Sequence, residues 1–286
     1  MKTPLRALSL ALCIASTSAG AQTRSPVTLR FRYVAGQRAR YTTRTTQVMP
    51  GGAGTTTTTA SHEVETTRVN PDGSAQQRLR ITRFDVSGAA IPDDLRTRVT
   101  SAVTGVTLEF AQDARGHVSA RRTIGTVPDE ARPILDGMLD SLDQIGAQLP
   151  EGPVAPGATW REQRTLHVLP GAGLDMRVDV TCTLREVRGI GPAQTAVVGI
   201  AMTLSTPPGA NVRGVRLNGS GNATGESVME LGRGRLGRGH TAGAMHVQMT
   251  IGGRAIDLQS TFEHDTSPEA PAAARPAGAR PAASPR

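Results

Sequence analysis

The residues able to do chemistry are few and poorly placed for it. His240, His246 and His264 are the histidines nearest one another in sequence. In a strand, His240 and His246 share a face but stand about 20 Å apart at 3.3–3.4 Å per residue, too far to share an ion. The hairpin register described below puts His246 opposite Gln259 on the polar side and His264 opposite Thr241 on the apolar side. No H-x-x-x-H or C-x-x-C spacing occurs, so no metal and no cofactor is expected. Gly232-Arg233-Gly234-Arg235-Leu236-Gly237 has the glycine spacing of a dinucleotide loop, but that chemistry needs a helix to follow. Arg238-Gly239-His240-Thr241-Ala242-Gly243 is a poor helix start, and the stretch reads as a loop or irregular strand. Asp136, Asp140 and Asp143 fall on one face of a helical segment and read as its solvated side. Cys182 alternates with Met176, Val178 and Val180 and reads as a buried thiol with no partner base. No nucleophile elbow, serine–lysine pair or P-loop is present. The expectation is a protein without catalytic residues.

Composition narrows the partners. The 32 basic residues exceed the 24 acidic ones by eight, and Lys2 is the single lysine. Acidic residues are interspersed among the arginines, so the surface is mixed in charge. Four Phe, two Tyr and one Trp are little material for base-stacking platforms, and no nucleic acid is expected as a partner. No later apolar run reaches the roughly 20 residues of a membrane-spanning helix.

The first 21 residues have a charged start (Lys2, Arg6), an apolar stretch and Ala19-Gly20-Ala21 before Gln22. This is the pattern of a secretory signal cut after Ala21. The expected location is therefore the periplasm or the exterior. Loss of Cys13 with the signal leaves Cys182 alone, so no internal disulfide is expected. Residues 266–286, rich in Ala, Pro and Arg, read as a disordered tail.

Between these ends the pattern has a period of two. Leu174, Met176, Val178, Val180, Cys182 and Leu184 alternate with polar residues, and Ala196–Leu204 repeats the pattern. Val27, Leu29, Phe31 and Tyr33 alternate likewise. Tyr41–Met49, Thr55–Val69, a strand through Leu79 and Ile81, and another through Val106, Leu108 and Phe110 read as extended. Met245–Ile251, Gly252-Gly253 and Arg254–Phe262 form a hairpin signal that sets Val247 opposite Leu258 and Met249 opposite Ile256. Ile91, Leu95, Val99 and Ala102 have helical spacing. From about Asp129 to Leu149 a stronger apolar stripe includes Leu135, Met138, Leu139, Leu142 and Ile145.

The fold expected is mainly β, of the α+β kind: one large curved antiparallel sheet or half-barrel over residues 22–265, with two amphipathic helices packed on one face. Val48-Met49-Pro50-Gly51 and Val168-Leu169-Pro170-Gly171 stand 120 residues apart. They leave open a duplication into halves 27–150 and 151–265, although the offset drifts elsewhere.

"VAGQRARY", "VNPDG" and "PVAPGATW", following the signal, resemble a large family of exported bacterial β-rich proteins of unknown function. The similarity covers residues 27–265 and rests on turns and strand starts. The architecture also resembles the LolA-like periplasmic lipoprotein carriers, in which helices close a curved sheet over an apolar groove. That resemblance implies an exported non-catalytic binding protein for an apolar or lipid-like ligand, with Leu135, Met138, Leu139, Leu142 and Ile145 as groove or lid. A structural or interaction component of the envelope with a filled core is the alternative, and an uncharacterised hydrolase the third reading.

Overall fold

A computed structural model describes residues 25–48, 54–88, 91–126, 132, 135, 148–169, 174–212, 215–251 and 254–269. Twelve strands make one antiparallel sheet: β1 (Arg38–Val48), β2 (Thr55–Val69), β3 (Ala75–Gly88), β4 (Thr107–Gln112), β5 (Val118–Ile124), β6 (Thr159–Leu169), β7 (Leu174–Arg188), β8 (Thr195–Ser205), β9 (Asn211–Val212), β10 (Val215–Glu230), β11 (Arg235–Ile251) and β12 (Arg254–Pro268). Alternation sets the faces. On β3, Ala75, Gln77, Leu79 and Ile81 are buried while Gln76, Arg78 and Arg80 are exposed. On β7, Met176, Val178, Val180, Cys182 and Leu184 all point to the core. The β11–β12 register is the expected one, with Val247 opposite Leu258, Met249 opposite Ile256 and Thr241 opposite His264. Ile256 nevertheless stays 39% exposed, as no described residue covers the far end of this hairpin.

The strand order is β5-β4-β3-β2-β1-β12-β11-β10-β8-β7-β6, with β9 beside β10. The chain thus runs round the sheet as a meander whose first and last strands pair, Tyr41 opposite Pro268 and Val48 opposite Thr261. The two halves, 27–150 and 151–265, share this one sheet. Its free edges are β5 and β6, neighbours in sequence.

Flat, those edges would lie about 48 Å apart at 4.7–4.9 Å per strand. Instead both are tied to one short segment. Arg115, in the β4–β5 turn, donates from Nε to the Leu149 carbonyl at 2.8 Å. Trp160 of β6 donates from Nε1 to the Gln148 carbonyl at 2.7 Å. A second tie lies across the middle, where the Phe31 amide donates to Ala114 and the Arg32 amide to Gly234, each at 2.8 Å. Two adjacent residues reach the β4–β5 and β10–β11 turns together only if the sheet is strongly curled. The edges do not pair with each other, so the sheet stays open at the β5–β6 seam.

Several expectations need correction. Residues 27–33 are extended but form no ladder strand; only Val27 bridges to Val154. They cross the curled sheet as a plug, with Leu29 fully buried. β6 has no counterpart among the expected strands, because its inward positions include Glu162 and Arg164 between Trp160 and Leu166, and the apolar alternation is broken. Among the described residues one helix is complete, α1 (Asp93–Val103), in place of two on one face. It buries Val103, with Val99 and Ala102 packed beside it, and leaves Leu95 exposed. Of the second expected helix only Arg132 and Leu135 are described as helical, and Leu149 is already outside it. Thr266–Glu269, expected in the tail, are ordered instead: β12 runs to Pro268, Thr266 is buried, and the Glu269 amide donates to the Arg40 carbonyl.

Candidate functional site

The curled sheet forms a partly open cavity of about 250 Å³ lined from ten of the twelve strands and from the plug. Phe31, Tyr33, Tyr41, Phe110 and Trp160 line it, which is five of the seven aromatic residues in the chain. Strand parity does this. Phe31 and Tyr33 are two apart on the extended plug and so face one way, with ring centroids 6.3 Å apart and planes 10° from parallel. Tyr41 lies opposite His62 across the β1–β2 ladder, and their rings stack at 5.8 Å. The polar ends of these aromatics are satisfied by backbone: the Tyr33 hydroxyl donates to the Asp113 carbonyl at 2.9 Å and the Tyr41 hydroxyl to that of Leu236 at 3.2 Å. The ring faces are left for packing or for a ligand.

The lining is mixed in polarity. Leu149, Trp160, Val198, Ile200 and Met229 form an apolar wall from the seam and the C-terminal strands. The adjacent strands β11, β12, β1, β2 and β3 contribute a polar band, Thr241, His264, Thr266, Thr43, His62, Thr66 and Gln77, together with the apolar Leu236, Val64 and Leu79. Much of this polar band is already bonded. The Thr43 and Thr266 hydroxyls are 3.2 Å apart, His264 Nδ1 is 3.0 Å from the Thr45 hydroxyl, and Gln77 donates to Gln112 at 3.3 Å. Burial disfavours charge throughout. It pushes the His62 pKa down to about 4 against a weak opposing pull from Glu269, lowers that of His264, and raises those of Tyr33 and Tyr41. Arg32 is exposed where it meets the cavity. Arg235 and Glu226 are ion-paired, to Glu230 at 3.0 Å and Arg185 at 3.4 Å.

Glu162 and Arg164 form a largely shielded ion pair on the inner side of β6. Glu162 also accepts the Gln148 amide at 2.7 Å, which fixes the segment that bridges the seam. Beside them Cys182 is fully buried, and burial, reinforced by Glu162 and opposed by Arg164, pushes its thiol up to about 12. A thiol so disfavoured from ionising is a packing residue, not a nucleophile.

Of the expected lid residues, Leu135 is 1% exposed and packed in the cluster of Ile81, Phe84, Val103 and Leu108. Met138, Leu139, Leu142 and Ile145 lie outside the described residues, as do Asp136, Asp140 and Asp143. The glycine-rich stretch is a turn leading into β11, where a dinucleotide site would have a helix. His240, His246 and His264 do not converge. His240 instead meets carboxylates of β12, Asp265 at 2.8 Å and Glu263 at 3.8 Å, on the exposed outer face. The register that pairs Thr241 with His264 already sets Asp265 opposite His240, a signal missed by comparing histidines alone. The aromatic gathering was missed for a similar reason: a small count of rings says nothing about where they meet. Compared with protein-family models and with curated proteins, the chain matches none.

Proposed function

We propose that this chain is an exported, non-catalytic binding protein that holds a small apolar or lipid-like ligand inside its curved sheet, in the manner of a half-barrel carrier. The observation that carries the reading is the collection of five of seven aromatic side chains around one cavity, with their polar ends already satisfied. A cavity of about 250 Å³ exceeds the ~150 Å³ engineered cavity that accepts benzene. It is below the 300–1,000 Å³ of drug-sized sites, which sets the ligand, or the part of it enclosed, at roughly the size of one alkyl chain or two fused rings. The signal-like pattern of residues 1–21 supports delivery to the periplasm or beyond, and an envelope component is the partner class that follows.

The structural reading, a filled core with no ligand, draws support from Leu135, which is packed in the cluster of Ile81, Phe84, Val103 and Leu108. A neutral apolar fluorophore, N-phenyl-1-naphthylamine, separates the two. A carrier gives saturable, enhanced emission with energy transfer from Trp160, the single tryptophan. Absence of saturable binding leaves the structural reading standing.

A further inference from the structure

We propose that the ligand is an uncharged amphiphile whose hydroxyl group bonds the imidazole of His62. This rests on the binding-protein reading and deepens it. The cavity lining is mixed: apolar side chains such as Trp160, Val198 and Ile200 share it with a polar band contributed by five adjacent strands. That arrangement suits a ligand with one polar end and one apolar flank, not a hydrocarbon.

Within the band, most groups are committed to one another. Thr43 bonds Thr266, and His264 reaches both Thr45 and Thr266. His62 differs. It lines the cavity and stacks on Tyr41, but none of the described residues hydrogen-bonds its ring. A neutral imidazole offers one donor and one acceptor, which is the complement of an alcohol. A carboxylate can accept the imidazole N–H, but it has nothing to donate to the unprotonated nitrogen, and its own charge would be taken out of water without a free cation to pair with it. The cations at the cavity are poor substitutes: Arg235 is paired with Glu230, and Arg32 is solvent-exposed, where a charge contact is weak. His62 is therefore assigned as the group that selects for an uncharged head.

The test compares 1-decanol with decanoate at pH 7.5, read by Trp160 emission and by displacement of N-phenyl-1-naphthylamine from the purified protein. Wild type is expected to bind decanol about tenfold more tightly than decanoate, the worth of one well-placed hydrogen bond. In His62→Leu the preference should collapse, with binding of the naphthylamine retained. If decanoate binds as well as decanol or better in wild type, the head-group assignment is wrong and Arg32 or Arg235 takes its place. Binding of the naphthylamine alone also overturns the assignment while leaving the carrier reading intact. Binding of none of the three overturns the carrier reading itself. If His62→Leu retains both the fold, by circular dichroism, and the preference for decanol, His62 is not the selecting residue. The wild-type comparison stands even if that variant fails to fold.

Discussion

At the scale of single residues, burial decides what the ionisable groups can do. His62 titrates near pH 4 in the folded protein and near 6.5 when exposed. The unfolded chain therefore takes up a proton that the folded protein refuses between those values. The stability due to neutral His62 is complete above pH 6.5 and is lost as pH falls towards 4, by on the order of 3 kcal/mol. His264 is shifted in the same direction. Urea unfolding at pH 7.5 and 4.5 should thus show a marked loss of stability in acid. His62→Gln should remove most of that slope, leaving the part due to His264; an unchanged slope would show that another group is responsible. Cys182 illustrates the legible case. Its parity with Met176, Val178 and Val180 was enough to place it in the core, since alternation on a half-buried strand fixes the face of every residue. His62 was not legible, because nothing in "ASHEVE" distinguishes a cavity-lining histidine from a solvated one.

At the scale of elements, the segment 27–34 shows how a strand-like pattern becomes something else. Its alternation is real, with Leu29 fully buried and Phe31 and Tyr33 facing the cavity, but its amides bond turns instead of a neighbouring ladder. The turns are shaped for this. Gly234 has φ of +58° and accepts the Arg32 amide, and a Cβ there would lie 2.5 Å from that of Arg32. Gly116 has φ of +94°, and a Cβ there would lie 2.8 Å from the Phe31 ring. Gly234→Ala should destabilise the fold by about 2 kcal/mol or more through left-handed strain and displacement of the plug. Thermal melting measures the loss, and faster amide exchange at Arg32 locates it; a variant with wild-type melting would deny the plug its role. The β10 strand was equally silent in sequence. Gly221, Ala223 and Gly225 sit across from Leu204, Met202 and Ile200 on the inner face, where residues this small leave no hydropathy signal to read.

At the scale of the whole molecule, pairing of the first and last strands makes the sheet one unit. β1 and β12 share eight paired positions, from Tyr41–Pro268 to Val48–Thr261. Neither half can keep its central strand satisfied without the other. Unfolding should therefore be a single transition, with Trp160 emission and far-ultraviolet circular dichroism coincident in urea; two separated transitions would mean that residues 27–150 and 151–265 fold independently. The strand class, the face of β7, the extent of β2 and the register of the last hairpin were set by the sequence alone. These depend on local chemistry: a period of two and a turn of fixed length act over a few residues. The contacts that hold the curl, the seam between β5 and β6, and the meeting of five aromatic rings around one cavity were decided only by tertiary structure. Each depends on which distant segments satisfy one another's backbone, as Phe31 and Arg32 do for Ala114 and Gly234, and a pattern with a period of two carries no information at that distance.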